Sequence, residues 1–198
     1  MSDMDYRTQV RSRLDRLDRD LTTLRSSADP AMRSDVDRLR TDYDALRTEA
    51  DGDAMSDPEA AAQMRSDLDQ RYADLDRRVY ETRLRSARTR DDYVRAATDR
   101  IDTYDRQIGD LRTRYQSATG TMRSDIARDL VRLRGQRDAY RDEAFTARGT
   151  LRSDFEGGRA AATTRLQRYD TEFNTAYREA SMRGMDMQNQ PQRPGSDM

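Results

Sequence analysis

The chain has 198 residues, of which 34% are apolar and 38% are charged, and its 37 basic residues nearly balance its 38 acidic residues. An average globular protein has roughly 45–50% apolar residues when glycine is counted, so this composition favours a narrow apolar seam under a charged surface. The near-zero net charge argues against a protein whose whole surface binds nucleic acid or anionic membranes.

Several residue types with common chemical roles are absent. Every basic residue is arginine, and the sequence contains no lysine, histidine, cysteine or tryptophan. The chain therefore cannot form disulfides, cysteine–zinc sites, histidine bases, lysine Schiff bases or the phosphate-binding loop that ends in Gly-Lys-Ser/Thr. We predict a protein that is not an enzyme and has no metal site and no cofactor.

Apolar residues recur at steps of three and four along most of the chain. The first series is Val10, Leu14, Leu17, Leu21, Leu24 and Ala28. The second is Met32, Val36, Leu39, Tyr43, Leu46 and Ala50, and a longer one runs from Val94 to Ala118. This spacing keeps one stripe facing a partner helix and is typical of coiled coils and helical bundles. No segment has a convincing period of two, so no strands are expected.

Helix-breaking residues divide this pattern into segments. Asp29-Pro30 predicts a capped helix start, and Asp51-Gly52-Asp53 predicts the end of that helix. Ser56-Asp57-Pro58-Glu59 has the pattern of a capping box for the third helix. No residue forces a stop between Pro58 and Ala118, so we expect one helix of about 60 residues, or ~90 Å at 1.5 Å per residue.

The C-terminal third carries weaker signals. Gly120 marks a turn, and a second long helical region is expected over 121–182. The sequence leaves open whether this region is one helix or two, because Gly149 and the Gly157-Gly158 pair favour a bend or a break. Residues 184–198 contain two prolines and no periodicity, so we predict a disordered tail.

Internal echoes indicate a duplication. Met-Arg-Ser-Asp begins at Met32, Met64 and Met122, and Leu-Arg-Ser-Asp begins at Leu151. A shift of 87 residues also brings Tyr6 onto Tyr93, Leu14-Asp15 onto Ile101-Asp102 and Leu24-Arg25 onto Leu111-Arg112. We therefore predict an all-α, elongated antiparallel coiled coil or helical bundle built from two copies of a three-segment helical unit. The copies are 5–85 and 93–183, joined by a helical junction at 86–92.

Two resemblances agree with this prediction. Three antiparallel segments that share a continuous connecting helix resemble the tandem arrangement of spectrin-type repeats, in architecture alone. Residues Ile101–Gly158 contain Gln-Ile-x-x-Leu within Tyr104–Leu111, Arg-Asp-x-x-Arg at Arg137–Arg141, and a final Asp-Phe-Glu-x-Gly. In these motifs the stretch resembles small bacterial coiled-coil proteins, often labelled stress-related, although their usual tryptophans are absent. That resemblance implies a cytoplasmic role without catalytic residues.

The most basic part of the sequence runs from Arg77 to Arg90. Arg77, Arg78, Arg85 and Arg88 form the candidate anion-binding or partner-binding face, since Arg78, Arg85 and Arg88 are spaced by seven and three on one predicted helix. Such a face can contact phosphates or acidic lipid headgroups. The alternative is a solvated linker helix, or one paired with acidic residues of another chain.

Two other clusters have structural explanations. The carboxylates Glu49, Asp51, Asp53, Asp57 and Glu59 do not fit the ligand spacing of a calcium-binding EF-hand, and helix capping accounts for Asp57 and Glu59. Six tyrosines fall on the apolar seam, which predicts core positions rather than platforms for stacking nucleic-acid bases. These are Tyr43, Tyr72, Tyr104, Tyr115, Tyr140 and Tyr169.

These observations favour a non-catalytic structural or partner-binding coiled-coil protein that self-associates or binds another helical protein. Aspartate is a poor helix former, and its 31 copies make the helices depend on packing partners. One alternative is a nucleic-acid-associated or nucleoid-associated protein that uses Arg77–Arg90. A second is an amphipathic coat on a lipid or polymer granule. The polar start at Met1–Asp5 and the lack of a long apolar run predict a cytoplasmic protein without membrane insertion.

Overall fold

The computed structural model describes residues 3–52 and 58–186, with side chains described at 6–52, 60–61 and 63–181. These residues form six α-helices and a 3-10 turn, Pro30–Met32, and the described ranges contain no strands, which confirms the predicted all-α class. The helices are α1 (Asp3–Ser27), α2 (Arg33–Ala50), α3 (Pro58–Ser86), α4 (Arg90–Ser117), α5 (Gly120–Thr150) and α6 (Phe155–Asp186).

The first helix boundaries follow the predicted capping chemistry. The Asp29 carboxylate accepts a hydrogen bond of 3.0 Å from the Ala31 N–H, and Pro30 occupies the first position of the 3-10 turn. The second helix ends at Ala50, where the Asp51 N–H donates to the Arg47 carbonyl at 3.0 Å. The predicted capping box at 56–59 lies outside the residues whose side chains are described.

The predicted continuous helix from Pro58 to Ala118 is wrong, and so is the predicted helical character of the whole junction. The chain leaves the helix at Ala87–Thr89, and α4 restarts behind Thr89, whose backbone is extended. The Thr89 hydroxyl accepts from the Asp92 N–H at 3.1 Å and donates to the Asp92 carboxylate at 2.7 Å. This capping pair supplies a helix start without proline or glycine, which explains why the boundary was missed.

The remaining predictions for the C-terminal region have mixed outcomes. Residues 151–154 separate α5 from α6, so the region left open by the sequence contains two helices. The Asp154 carboxylate accepts from the Gly157 N–H at 2.8 Å and caps the start of α6. The predicted disordered tail begins at Gly184, but residues 184–186 are helical and the rest lies outside the described residues.

Helices α1, α2 and α3 form an up-down-up arrangement, the N-terminal bundle. Arg40 of α2 pairs with Asp18 of α1, and Arg78 of α3 pairs with Asp42 of α2 at 2.7 Å. Tyr6 of α1 donates to the Arg65 carbonyl of α3 at 3.1 Å, and Asp20 of α1 lies 3.5 Å from Arg83 of α3, so the two helices run parallel. The buried core follows the predicted stripe and includes Leu14, Leu17, Leu21, Leu24, Val36, Leu39, Tyr43 and Leu46.

Helices α4, α5 and α6 form a second three-helix arrangement, the C-terminal bundle. The Tyr104 and Tyr140 rings of α4 and α5 meet edge to face with centroids 5.1 Å apart, and Arg132 of α5 pairs with Glu179 of α6 at 2.8 Å. The last turns of α3 pack into this second core rather than the first, through Tyr80 and Leu84, and Ala87 follows them just after the helix ends. Consequently α3 belongs to both bundles and joins them through packed side chains as well as through the chain.

Two glycines of α5 predict opposite effects of the same substitution. Gly120 has φ +56°, a left-handed backbone conformation that costs a residue with a Cβ roughly 1–2 kcal/mol. Gly135 lies in the helix interior with open space where a Cβ would stand, so alanine there removes unfolded-state entropy. We expect Gly120→Ala to lower the free energy of unfolding by about 1–2 kcal/mol and Gly135→Ala to raise it by about 0.5–1 kcal/mol.

Urea unfolding monitored by circular dichroism measures both effects. Each variant serves as the control for the other, since both add one methyl group to the same helix. Equal effects of the same sign would contradict the assigned backbone conformation at Gly120.

Candidate functional site at the junction of the two bundles

A buried charged residue lies where the bundles meet. The Arg100 side chain on α4 is only 3% exposed, and its Nε donates to the Asp170 carboxylate of α6 at 2.5 Å. Its Nη1 donates to the Asp76 carboxylate of α3. Because a buried guanidinium without partners would lose its hydration at a cost of several kcal/mol, these two carboxylates determine where Arg100 can lie. One side chain therefore connects three helices from both bundles.

The Asp170 carboxylate accepts further hydrogen bonds besides this ion pair. Its Oδ1 also accepts from the Tyr104 hydroxyl at 2.5 Å, and its Oδ2 accepts from the Asn174 Nδ2 at 3.0 Å. The Arg100 guanidinium carbon lies 4.9 Å from the Tyr80 ring centroid and 5.4 Å from that of Tyr104. Such cation–π contacts stabilise a cation that has given up water. We call these groups, together with Asp76 and Tyr140, the junction network.

The tyrosines of the junction network stay protonated. Burial is the main cause that raises the pKa of Tyr80, Tyr104 and Tyr140 well above the ordinary value of 10.0. The nearby Asp170 charge raises the pKa of Tyr104 further, whereas Arg100 opposes the shift. The Tyr80 and Tyr140 hydroxyls bond to each other. The protonated phenol of Tyr104 and the charged guanidinium of Arg100 both donate to the Asp170 carboxylate, so the network links α4 to α6 through hydrogen bonds.

A cleft of about 400 Å³ opens beside the junction network. Its walls come from α1 and α3 on one side and from α4 and α6 on the other, and Asp76 and Asn174 belong to both the cleft and the network. Most of the residues that line it are of polar types, although the surface they present is mainly apolar, and they include five arginines and five carboxylates. These are Arg13, Arg16, Arg106, Arg114 and Arg178, with Asp20, Asp69, Asp76, Asp110 and Glu179.

Two tyrosines also line the cleft, one on each side. Tyr72 lies on α3 and Tyr177 on α6, and burial raises the pKa of both phenols. Arg13 of α1 pairs with Asp69 of α3 at 2.9 Å, and its charge acts on Tyr72 and Tyr177 alike. Arg114 of α4 lowers the pKa of Asp69 and of Tyr177, although burial outweighs it. Groups from both walls therefore interact electrostatically across the cleft.

The sequence-predicted basic face contributes little free charge. Arg77 pairs with Asp74 and Glu81, each at 2.7 Å, and Arg78 pairs with Asp42 at 2.7 Å. Arg88 lies in the break at Ala87–Thr89, where its guanidinium is 3.8 Å from Asp29. Arg85 is exposed and bonds to the Thr82 hydroxyl at 3.3 Å. Because the helix ends at Ser86, the predicted alignment of Arg88 with Arg78 and Arg85 on one helix is wrong.

In the acidic cluster around Gly52, the carboxylates that the structure describes form ion pairs with arginines. Glu49 pairs with Arg71, and Asp51 lies 3.5 Å from Arg11 and 3.9 Å from Arg47. Asp53, Asp57 and the Glu59 side chain lie outside the described residues. Within the described ranges, no group of three or more carboxylates is arranged to hold a metal ion.

Neither the junction network nor the cleft was predicted from the sequence. Arg100 and Asp170 are single residues in a chain rich in both types, and their 70-residue separation hides the pairing. One signal was present, since Arg100 follows Ala96 and Ala97 on the apolar side of its helix, where a charge needs a partner. The cleft depends on how two bundles meet, and no local pattern encodes that.

The junction network predicts an unequal response to two conservative substitutions. Asp170→Asn leaves Arg100 buried with one carboxylate, so we expect the free energy of unfolding to fall by about 3–5 kcal/mol. Asp125→Asn breaks an exposed pair with Arg128 at 3.2 Å and should change it by less than about 1 kcal/mol. Urea titration of both variants measures the difference. Similar losses would mean that Arg100 is not held as described.

The same network predicts alkaline sensitivity. Below pH 10 the buried phenols are protonated in both states, whereas above it the unfolded chain releases protons that the folded protein retains. Stability should therefore be unchanged up to about pH 10 and fall above it. The double substitution Tyr80→Phe and Tyr140→Phe removes both partners of one hydrogen bond. It should therefore change the free energy of unfolding little at pH 7.

Above pH 10 this double variant should lose stability less steeply, by up to about 1.4 kcal/mol per pH unit for each tyrosine removed. The free energy of unfolding, measured by urea titration between pH 7 and 11, tests this slope against that of the unaltered chain. An identical slope in the two proteins would contradict buried, proton-retaining phenols.

None of the helices in the described ranges combines the length and the apolar character needed to cross a lipid bilayer. No protein-family model, curated protein or solved structure matches the chain. The resemblance of Ile101–Gly158 to small coiled-coil proteins therefore stays a prediction.

Proposed function

We propose that the chain is a non-catalytic helical protein that binds partners through its outer faces, the first partner being a second copy of itself. One observation carries this proposal. Among the described residues, Val131 and Phe145 are the exposed large hydrophobic side chains, 69% and 73% accessible, and both lie on α5. They are 14 residues apart, two heptads, and therefore share one helix face.

The residues between them favour an antiparallel pairing of two α5 helices. A two-fold axis beside Asp138 would place Val131 of each copy against Phe145 of the other, and Arg134 against Asp142. The first contact covers apolar surface, and the second joins opposite charges. Asp138 itself is neutralised within its own chain by Arg137 at 2.9 Å. An isologous, self-complementary face of this kind is the commonest route to a dimer.

The two-copy repeat and the coiled-coil packing are part of this proposal. At the 87-residue shift Arg13 corresponds to Arg100, and each is a first-helix arginine paired with an aspartate on the third helix of its bundle. Those aspartates are Asp69 and Asp170, although the same shift places Asp69 on Glu156. The heptad-like spacing of the buried residues in α1, including Leu14, Leu17, Leu21 and Leu24, supports knobs-into-holes packing. A cytoplasmic location agrees with this picture and remains part of the proposal.

The two alternative functions have less support. A nucleic-acid role through Arg77–Arg90 needs free guanidiniums, whereas Arg77 and Arg78 are engaged by carboxylates of the same chain. A granule coat needs an apolar helix face open to the lipid or polymer, whereas the apolar stripes of α1 and α4 are buried in the two cores. We therefore retain self-association as the function to test.

Dimerisation through α5 predicts a concentration-dependent mass. Only two large apolar side chains per copy lie on this face, so we expect a weak dimer with a Kd on the order of 10 µM or above. Phe145→Asp should shift the chain to monomer because it places a charge in the apolar contact. Thr98→Asp, an exposed position on α4, adds the same charge outside this face and should leave the dimer intact.

Sedimentation equilibrium over a range of concentrations measures both variants beside the unaltered chain. The proposal fails if the unaltered chain stays monomeric at chain concentrations well above the expected Kd. It also fails if the two substitutions weaken association equally, since a general charge effect would then explain the loss.

A further inference from the structure

We propose that the cleft between the bundles binds a small oligophosphate anion. Four arginines would contact it, namely Arg16 of α1, Arg106 and Arg114 of α4, and Arg178 of α6. This site is independent of the proposed dimer face, because α5 contributes no residue to the lining of the cleft.

Four of the five carboxylates that line the cleft are already paired with arginines. Three of its five carboxylates are engaged by arginines that do not line it. Asp20 lies 3.5 Å from Arg83, Asp76 is bound by Arg100, and Glu179 pairs with Arg132 at 2.8 Å. A fourth, Asp69, pairs with Arg13 inside the cleft.

The arginines of the cleft are left with few partners. Within the described part of the chain, no carboxylate lies within ion-pair distance of Arg16, Arg106, Arg114 or Arg178. Among the carboxylates that line the cleft, Asp110 is the one without an ion pair to a described residue. Arg106 bonds only to the neighbouring Thr103 hydroxyl at 2.9 Å, and Arg178 to the Asn174 carbonyl at 3.4 Å. Four guanidiniums of the lining thus lack an ion pair, against the single carboxylate Asp110. Because Arg83 and Arg100 are each shared with a second aspartate, the excess around the cleft is one positive charge, which an anion can neutralise.

The chemistry of the lining favours phosphate over a single carboxylate. A guanidinium presents a planar fork of donors that matches phosphate oxygens, and such charge-assisted bonds are the stronger ones. Arg106 and Arg114 are eight residues apart, or ~12 Å along α4, so an extended anion with several charged groups reaches more of them than a single phosphate does. A volume of about 400 Å³ lies within the range of small-molecule sites.

An unpartnered acceptor strengthens the case for a ligand with protons to donate. Gln107 lines the cleft, and its Oε1 is buried without a hydrogen-bond partner among the described residues. Buried polar atoms are normally paired, and those that are not point to a missing water or ligand. A partly protonated phosphate oxygen can donate to this amide.

Isothermal titration calorimetry of the full chain at low salt tests the proposal, with inorganic phosphate, pyrophosphate and tripolyphosphate as probes. We expect saturable binding that strengthens from phosphate to tripolyphosphate and weakens as salt rises. Arg114→Gln and Arg16→Gln, on opposite walls, should each weaken tripolyphosphate binding by about tenfold or more. Asp110→Asn removes the carboxylate of the lining that has no ion pair and should strengthen tripolyphosphate binding.

Arg112→Gln is the matched control, because Arg112 is an exposed arginine on α4 that does not line the cleft. It should leave binding unchanged, and thermal melts should show that every variant is folded. The absence of saturable tripolyphosphate binding would overturn the proposal. So would an equal loss in Arg112→Gln and Arg114→Gln, or tighter binding of a single-stranded oligonucleotide, which would assign the arginines to nucleic acid.

Discussion

The structure depends on one buried cation and the groups that must surround it. Arg100 is almost inaccessible to solvent, so its charge has to be neutralised within the protein. Asp170 and Asp76 do so from α6 and α3, and Tyr80 and Tyr104 add their ring faces. Because these partners come from both bundles, a slip of one helix past another would strand a charge in the interior. The requirement for pairing therefore favours one register among many that apolar packing alone would permit.

This constraint also shapes the cleft. A chain with 34% apolar residues cannot bury every surface of its helices, so the bundles meet through polar side chains along much of their boundary. Where they meet tightly, the junction network pairs its charged groups internally and leaves the Arg100 Nη2 without a hydrogen-bond partner among the described residues. Where they diverge, carboxylates such as Asp20 and Asp76 turn toward arginines behind the wall of the cleft. The unpaired arginines that remain follow from the same competition for partners.

The features that the sequence predicts correctly are those determined by residues close to one another in the chain. Steps of three and four gave the helical class and most of the buried positions, including Tyr43, Tyr104 and Tyr140, all 0% exposed. Asp29-Pro30 and Asp51 gave two boundaries because capping uses neighbouring residues. The break at Ala87–Thr89 was missed because Thr89 and Asp92 cap the helix without glycine or proline. Arg100–Asp170 was missed because dozens of arginines and aspartates satisfy the same pairing rule, and only the packed fold selects among them.

The exclusive use of arginine suits this way of building a protein. Lysine carries a compact charge, whereas the guanidinium has five donors spread over a rigid plane and can serve two carboxylates at once. Arg100 joins Asp76 to Asp170, and Arg83 joins Asp20 to Asp99, each time linking different helices. Short aspartate side chains keep these bridges close to the backbone. In a scaffold held by shared guanidiniums, most guanidiniums are already paired with carboxylates. An external anion is therefore stabilised most where several guanidiniums lack a carboxylate.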